Sequence, residues 1–346
     1  MGAEKSMPRR ALVTGATGYI ASHLIPGLVA DGWEVLATGR RREAPPLPDG
    51  VDYASVNLVK DDPWVFSGLM ESVTHVFHLA GASSSLSDQE EMERTNVLGT
   101  RRILAATKRW PIERFVHMSS TSVYGEEVQL PSPVPEDVER HPSRGYGKAK
   151  DGAERVVEEY AAQGTPTVVL RPVTVYGPGN VKLLASAILD VAVERFAGLD
   201  RVAVAREPIE QRLVHVDDVV AASIHLATAE AVGRAFNVVL AQYPSSHEVA
   251  GMVADAFGLP VELVDDPDAG LSHEARTEAH GRMVEAGMKP RILLSKERFR
   301  FLRKANRNNR LSVDALLGTG FEFARTDLAA GIADTVDWYR AERWIL

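Results

Sequence analysis

A glycine-rich turn between a strand and a helix is the feature that most constrains how this chain can fold. Residues 11–14 form a short apolar run, and the following segment reads Thr14-Gly-Ala-Thr-Gly-Tyr-Ile-Ala21 before an amphipathic stretch predicted as a helix over residues 19–31. Gly15 permits a tight turn, Gly18 lets backbone N–H groups approach a pyrophosphate, and Ala21 allows close packing of helix on strand. A glycine pattern alone could be only a turn, but this strand–turn–helix context predicts a dinucleotide site.

Short β-branched runs alternate with amphipathic stretches through the first two-thirds of the chain. Strands are predicted over residues 11–14, 33–38, 51–56, 73–80, 114–119 and 166–170, and helices over residues 19–31, 94–109 and 146–163. This alternation is typical of parallel strands joined by crossover helices. We therefore predict an α/β fold with a Rossmann-type, doubly wound parallel sheet.

The predicted secondary structure becomes mostly helical after Gly179. Helices are predicted over residues 181–196, after Asp217, over residues 246–257, over a charged stretch at 271–310, and from Asp327. A length of 346 residues fits about two domains. We predict an NAD(P)-binding Rossmann domain at residues 1–180, with a return segment at about 211–245. A smaller, mostly helical substrate domain is predicted at 181–210 and 246–346.

Composition narrows the classes of partner. The formal net charge is −8, which argues against a nucleic-acid partner because phosphate affinity depends on Lys and Arg. There is no cysteine, so disulfides, thiol nucleophiles and thiolate metal sites are excluded. His273 and His280 have no third ligand at metal-site spacing, and we expect no metal.

No apolar run approaches the ~18 residues of a membrane span, and the polar start of the chain lacks a signal-peptide core. We expect a cytoplasmic enzyme without a membrane partner.

The end of the second predicted strand bears on which dinucleotide binds. An acidic residue that binds the ribose of NAD is expected there, about twenty residues after the glycines. The chain instead has Thr38-Gly-Arg-Arg-Arg42. A guanidinium matches a 2′-phosphate bidentately, so Arg40 favours NADP as the cofactor. If these arginines only begin a solvated loop, NAD still fits.

Tyr146 and Lys150 open a predicted helix four residues apart, which places them on one face. A lysine ammonium beside a tyrosine is expected to lower the pKa of the phenol, and such a tyrosine can exchange a proton with a hydroxyl or a carbonyl. Residues 118–125, Met-Ser-Ser-Thr-Ser-Val-Tyr-Gly, follow the fifth strand at its carboxyl end, where ligands bind in open α/β sheets. A hydroxyl there can hold a substrate oxygen against Tyr146.

Taken together, these motifs resemble the extended short-chain dehydrogenase/reductase family, the group of NAD-dependent epimerases and dehydratases. The matching segments span about 240 residues and are, in chain order, residues 14–21, 78–81 (His-Leu-Ala-Gly), 96–100 (Asn-Val-Leu-Gly-Thr), 119–125, 146–150, 170–172 (Leu-Arg-Pro), 175–179 (Val-Tyr-Gly-Pro-Gly), 212–218 and 236–238 (Phe-Asn-Val).

The resemblance implies roles for individual residues. It implies that Ser120, Tyr146 and Lys150 are the catalytic trio, with Ser120 chosen because it lies four residues before Tyr124. It implies a homodimer paired through helices of the Rossmann domain, and a small-molecule substrate. The implied cofactor contacts are Gly15, Thr17, Gly18, Tyr19, Ile20, Arg40, Asn57, Leu58, Leu79, Ala80, Gly81, Asn96, Met118, Ser119, Tyr146, Lys150, Pro172 and Val173. The expected substrate contacts are Ser83, Ser120, Thr121, Thr174, Arg212, Arg303 and Arg307.

Three departures from the family pattern bear on the reaction. Dehydratases of the family carry Asp-Glu after the catalytic hydroxyl, whereas this chain has Thr121-Ser122, which argues against dehydration. Thr174 replaces an Asn that usually helps to hold a nucleotide-sugar phosphate, and the usual Arg-Pro-Gly-Asp segment is missing. Three hypotheses remain: an epimerase or ketoreductase acting on a sugar or sugar nucleotide, an NADPH-dependent reductase of a non-sugar ketone such as a thioester or polyketide-type intermediate, and a non-catalytic NADP-binding sensor.

A basic stripe lies within the charged stretch at 271–310. Lys296, Arg300, Arg303, Arg307 and Arg310 are spaced 4, 3, 4 and 3 residues apart, which is one face of a helix. Phe299, Phe301 and Leu302 would anchor that helix on the substrate domain. The stripe is either a solvated face or a site for the anionic end of the substrate.

Overall fold

The computed structural model describes residues 9–83, 89–143, 145–266, 270–303 and 310–346, and the chain divides into two compact units. The first unit comprises the chain up to Val173 together with residues 219–238 and 311–322. The second comprises residues 174–218, 239–310 and 323–346. The division differs from the predicted one at residues 174–180, 211–218 and 239–245, which fall in the second unit, and at residues 311–322, which fall in the first. Leu311 there forms a bridge with Val134. No helix among the described residues is long and apolar enough to cross a membrane.

A seven-stranded parallel sheet forms the centre of the first unit, with the strand order β10-β6-β5-β4-β1-β2-β3. The elements of this unit are β1 (Arg10–Thr14), α1 (Tyr19–Ala30), β2 (Glu34–Gly39), β3 (Asp52–Ser55), α2 (Pro63–Leu69), β4 (His75–His78), α3 (Gln89–Glu93), α4 (Gly99–Thr107), β5 (Arg114–Met118), α5 (Gly145–Ala161), β6 (Thr167–Pro172), most of α7 (Val216–Thr228), β10 (Arg234–Val238) and α10 (Asp314–Leu317). The strand order reverses between β1 and β4, as in doubly wound folds, and the predicted fold class is confirmed.

The inner strands are mostly buried, and their central residues are mainly apolar, because both faces of the sheet are covered. In β1 the three central residues are fully buried, and β4 and β5 are buried throughout. One face packs Leu12, Val76 and Phe115 against Phe66 of α2 and Ile103 of α4. This packing fixes the ends of the strands, from which the loops of the site emerge.

The predicted helix over residues 94–109 is interrupted. A π-helical turn at Arg94–Leu98 lies between α3 and α4, so the helical register shifts within the predicted element. Single π-turns inside helices are frequent at functional sites. Here the turn presents Asn96, whose side chain accepts a hydrogen bond from Ala82 N at 2.8 Å and donates one to Ala82 O at 3.2 Å.

The second unit is mostly helical around an apolar core. Its elements are β7 (Thr174–Tyr176), α6 (Leu184–Phe196), β8 (Val202–Ala205), β9 (Leu213–His215), the start of α7, α8 (Ser246–Ala256), β11 (Val261–Val264), α9 (His273–Glu285) and α11 (Leu328–Ala341). Strands β7 and β9 pair in parallel, as do β8 and β11. Ile188 and Leu189 of α6 pack with Val253 of α8 and Ile332 of α11 in the core.

The predicted helix over residues 271–310 is wrong over residues 286–303, and residues 304–309 lie outside the described part of the chain. Helix α9 ends at Glu285, Gly287 adopts a φ of +92°, and residues 296–303 form turns. Phe299 has a positive φ of 49°, which a helix does not allow. Phe299 and Leu302 are buried in the core of the unit, as expected for the anchors of this segment.

Candidate functional site

The glycine turn joins β1 to α1 with the backbone geometry that its sequence predicts. Gly15 has a φ of +79°, and a Cβ there would lie 2.8 Å from the backbone of Ala80. Gly18 is the N-cap of α1, where no side chain caps the helix and the first turn has no acidic residue. A twelve-residue helix with such an N-terminus offers N–H groups and a positive dipole end to an anion. The turn therefore fits a dinucleotide pyrophosphate.

The predicted cofactor contacts lie along one edge of the sheet, because they follow the carboxyl ends of adjacent parallel strands. They comprise Gly15, Thr17, Gly18, Tyr19 and Ile20 after β1, Arg40 after β2, Asn57 and Leu58 after β3, Leu79, Ala80 and Gly81 after β4, Met118 and Ser119 at the end of β5, and Pro172 and Val173 at the end of β6. Asn57 lies within this edge, but its Oδ1 accepts hydrogen bonds from Val59 N and Lys60 N, so its side chain stabilises its own loop.

A chain of buried hydrogen bonds ties β1, β4 and the π-turn together beneath this edge. Thr100 Oγ1 donates to Asn96 O at 2.6 Å, so it accepts from His78 Nε2 at 3.0 Å. The other ring nitrogen of His78 then accepts from Thr14 Oγ1 at 2.8 Å, and Thr14 Oγ1 accepts from Ala80 N at 3.2 Å. Burial lowers the pKa of His78 to about 3, so the ring is neutral and serves as a structural bridge.

A side chain at Gly39, at the end of β2, would be in tight contact with its neighbour. A Cβ at Gly39 would lie 3.0 Å from the Tyr53 hydroxyl, which donates to Arg41 O at 2.8 Å. The Arg40 guanidinium is exposed and forms an ion pair with Glu91 of α3 at 3.6 Å. A cation thus stands where NAD-binding relatives of this fold place a carboxylate.

The predicted catalytic side chains meet where β5 ends and α5 begins. Lys150 is buried, and its Nζ donates to Met118 O at 2.7 Å and lies 5.9 Å from the centre of the Tyr146 ring. Ser120 caps the short 3₁₀ turn that follows β5, accepting from Ser122 N at 3.2 Å and from Ser122 Oγ at 3.1 Å. The Ser120 hydroxyl also lies next to the Tyr146 phenol, where hydrogen bonding to Ser120 acts to lower the pKa of the phenol.

The pKa of Tyr146 moves in the direction opposite to the expected one. Burial raises it to about 12, and the hydrogen bond from Ser120 opposes that rise only in part. The expected lowering by Lys150 is absent, because the ammonium is directed to the Met118 carbonyl oxygen. Burial also lowers the pKa of Lys150 to about 8, against the opposing effect of the Glu154 carboxylate. At pH 7 the tyrosine is therefore a neutral acid and the lysine is mostly charged.

Gly81 packs closely beside this trio. A Cβ there would lie 2.8 Å from Asn96 Oδ1 and 3.5 Å from Lys150 Nζ. The absence of a side chain at Gly81 thus lets the loop after β4 pass close to the lysine, on the edge that carries the glycine turn. Donors at Lys150 and at the start of α1 make up a set that fits the ribose and the pyrophosphate of a nicotinamide dinucleotide.

Sequence reasoning did not single out Glu154, one turn after Lys150 on α5. Its buried carboxylate accepts from the Ser119 hydroxyl, from Arg171 Nη2 at 2.7 Å and from Arg140 Nη1 at 2.9 Å. The four-residue spacing from Lys150 was a signal for it, but its partners come from distant parts of the chain. This network fixes α5, which carries Tyr146, against β5 and β6.

The predicted substrate contacts are distributed over both units. In the first unit, Ser83 is exposed on the loop after β4, and Thr121 is buried and donates to Pro172 O at 3.5 Å. In the second unit, Thr174 pairs with Leu213, which brings it next to Arg212. Arg303 is half-buried in a turn rather than on a helix, and Arg307 lies outside the described residues.

The chain is similar in sequence to a known protein family and to several characterised enzymes. The model of the NAD dependent epimerase/dehydratase family matches residues 11–239. GDP-6-deoxy-D-mannose reductase of Pseudomonas aeruginosa is 26% identical over 298 residues, which cover 83% of this chain and 94% of that protein. dTDP-glucose 4,6-dehydratase of Streptomyces antibioticus is 28% identical over 360 residues, covering 96% of this chain and 92% of that protein.

Among solved structures, MoeE5 in complex with UDP-glucose and NAD is similar, with a TM-score of 0.69 and 27% identity over 96% of this chain and 99% of that one. The expectation of a nicotinamide dinucleotide cofactor is confirmed. Since the family model covers about two-thirds of the sequence and includes the glycine turn, the Ser–Tyr–Lys trio and β10, the chain belongs to the NAD-dependent epimerase/dehydratase family and is an NAD(P)-dependent enzyme of the extended short-chain dehydrogenase/reductase type.

Proposed function

We propose that this protein is an NADP-preferring oxidoreductase that transfers a hydride at a hydroxyl or ketone carbon of a sugar or sugar nucleotide, as a ketoreductase or an epimerase. The observation that carries the proposal is the meeting of Ser120, Tyr146 and Lys150 on the sheet edge that carries the glycine turn. A bound nicotinamide would supply or accept the hydride, and the chain's own residues would handle the proton.

Tyr146 is suited to donate that proton. With a pKa raised to about 12, its hydroxyl is protonated at pH 7 and can protonate an oxygen that gains negative charge. Ser120 accepts two hydrogen bonds from Ser122, so its own proton is available to Tyr146 or to a substrate oxygen. The Lys150 ammonium would stabilise the charge developing nearby and bind the cofactor ribose. A neutral acid at this position favours reduction of a ketone.

Sugar nucleotides are the proposed substrate class because the candidate contacts are hydroxyls and guanidinium groups. Ser83, Thr121 and Thr174 offer hydroxyls, and Arg212 offers a cation for a phosphate. Thr121 and Ser122 place no carboxyl group beside Ser120, so we propose that elimination of water is not the reaction, although one relative is a dehydratase. Arg40 supports NADP over NAD, because its exposed guanidinium can bind a 2′-phosphate.

Reduction of a non-sugar ketone is the second candidate. Thr174 in place of the usual Asn and the missing Arg-Pro-Gly-Asp segment both remove groups that hold a nucleotide-sugar phosphate. A thioester or polyketide-type ketone would need neither. A third possibility, a cofactor-binding sensor without catalysis, would have no use for the Ser120–Tyr146 hydrogen bond.

Mass spectrometry of the nucleotide that co-purifies with the protein would test the cofactor. Nicotinamide absorbance would then be followed with a panel of keto and hydroxy nucleotide sugars and a panel of non-sugar ketones. Turnover of nucleotide sugars supports the proposal, turnover restricted to non-sugar ketones supports the second candidate, and binding without any turnover supports the sensor.

Arg40→Asp should weaken NADPH binding and spare NADH, and a wild type that binds NADH more tightly than NADPH would contradict the preference for NADP.

A further inference from the structure

One ion pair extends across the cofactor edge of the first unit. Arg40 follows β2, and Glu91 lies on α3, the helix that comes after β4. Their side chains approach to 3.6 Å while remaining 70% and 47% exposed, respectively. Both groups are therefore open to solvent.

The strand order shows what this pair spans. In the sheet, β1 lies between β4 and β2, and the glycine turn follows β1 at the same carboxyl edge. A contact from the end of β2 to the helix after β4 must cross the position of β1. The Arg40–Glu91 pair thus extends over the side of the glycine turn on which a bound dinucleotide would place its adenosine.

We infer that Glu91 is a specificity-determining residue for the cofactor, the resident counter-ion that a 2′-phosphate displaces from Arg40. This inference rests on the proposed NADP preference and adds a residue that tunes it. With NADP, Arg40 exchanges one carboxylate for a phosphate that offers more charge and more acceptor oxygens. With NAD, the 2′-hydroxyl offers Arg40 no charge, and the pair with Glu91 persists.

Replacing the Glu91 carboxylate by a 2′-phosphate as the partner of Arg40 costs little free energy. Exposed ion pairs contribute little to stability, so a phosphate can replace Glu91 easily. The Glu91 carboxylate nevertheless competes for Arg40 and repels the incoming phosphate. Removing its charge should therefore strengthen NADPH binding and leave NADH binding nearly unchanged.

The test is to titrate the full chain with NADPH and, separately, with NADH, using nicotinamide fluorescence to measure each Kd. The variants are Glu91→Gln, Glu90→Gln, Arg40→Gln and the double variant Arg40→Gln/Glu91→Gln. Glu90 is the matched control, because it lies on the same helix, loses the same charge and is paired with Arg94 instead of Arg40. Repeating the titrations at higher salt would show the screening expected of exposed charges.

The expected result is a Kd for NADPH that falls about 2- to 5-fold in Glu91→Gln, the range of exposed ion pairs. Glu90→Gln should change either Kd much less, and in the Arg40→Gln background Glu91→Gln should have a smaller effect on NADPH, because only the direct repulsion remains. Equal effects of Glu91→Gln and Glu90→Gln, or an undiminished effect without Arg40, would overturn the inference. Tighter binding of NADH by the wild type would instead overturn the proposed NADP preference, and no binding of either cofactor would overturn both.

Discussion

At the residue scale, the hydroxyl of Ser120 shows how a neighbour sets the direction of a proton. A hydroxyl has one donor and two acceptor positions. Ser122 N and Ser122 Oγ fill the acceptor positions at 3.2 and 3.1 Å, which leaves the proton of Ser120 for Tyr146. Dehydratases of the family have a carboxyl group at the position of Ser122, so the same backbone site here supports a neutral hydrogen-bond network.

Replacing Tyr146 by Phe removes the proton donor and keeps the ring. Turnover should fall by roughly 10²–10⁴, the usual contribution of general acid–base catalysis. NADPH affinity should stay nearly unchanged, because the ring remains in place. The measurement is single-turnover kinetics together with a cofactor titration of the same variant. Near-full turnover in Tyr146→Phe, with chemistry rate-limiting, would show that another group supplies the proton.

The lowered pKa of Lys150 predicts a pH dependence of cofactor binding. Burial brings this pKa to about 8, so the side chain is an ammonium below pH 8 and loses its charge above it. If the ammonium contacts the cofactor, NADPH affinity should be constant below pH 8 and should fall above it, by up to about tenfold per pH unit, because binding must then take up a proton. Titrations of wild type and Lys150→Met between pH 6 and about 10 check this. A decline of equal size in Lys150→Met would assign the effect to another group.

The sequence predicts which residues meet at this site but not how they titrate. The four-residue spacing of Tyr146 and Lys150 is sufficient to place both on one face of α5. The direction of the Tyr146 pKa shift depends on burial, and the Lys150 ammonium is directed to the Met118 carbonyl oxygen at the end of β5. Glu154 was missed for the same reason, because Arg140, Arg171 and Ser119 approach it only in the folded chain.

At the scale of elements, strand–helix alternation predicts the central sheet because each inner strand contains a short run of apolar, often β-branched residues. Interruptions inside helices are harder to predict. The spacing of apolar residues in 94–109 does not indicate the π-turn at Arg94–Leu98. This turn places the Asn96 side chain within hydrogen-bond distance of the Ala82 backbone. The charged stretch at 296–303 has helical spacing, yet buried partners on α6 hold it in turns.

Those partners are acidic residues one turn apart on α6. Arg298 donates to Glu194 through Nε at 2.5 Å and Nη2 at 2.8 Å, and Phe299 N donates to Asp190 at 2.9 Å. The basic stripe predicted from the sequence does not contain Arg298, which is nearly fully buried. It does contain Arg300, which is 73% exposed. The buried ion pair of Arg298 therefore determines the conformation of this segment, rather than the helical spacing of its basic residues.

Arg298→Ala should consequently destabilise the protein by about 3–5 kcal/mol, because it leaves the buried Glu194 carboxylate without its counter-charge. Arg300→Ala is the matched control, since its guanidinium is exposed and lies 3.9 Å from Glu297, and its free energy of unfolding should barely change. Urea denaturation of the three proteins would measure both effects. Equal stability of the two variants would mean that the buried pair is not a major support of this segment.

At the scale of the whole molecule, the cofactor residues are few and widely spaced along the chain, but the parallel sheet collects them at one edge. Gly15, Arg40, Gly81, Ser119 and Pro172 each follow a different strand. Because parallel strands bring all their carboxyl ends to the same side, alternation of strands and helices was enough to predict this gathering.

This arrangement predicts that the cofactor stabilises the fold as well as taking part in the reaction. A dinucleotide that binds loops after five or more strands binds the folded state and not the unfolded chain, so at about 100 times its Kd it should add about 2.7 kcal/mol to the free energy of unfolding. The melting temperature should rise by several degrees. Thermal denaturation with and without NADPH measures this, and Arg40→Asp at the same NADPH concentration should show a smaller rise. An unchanged melting temperature at saturating NADPH would contradict binding of the dinucleotide to the folded edge.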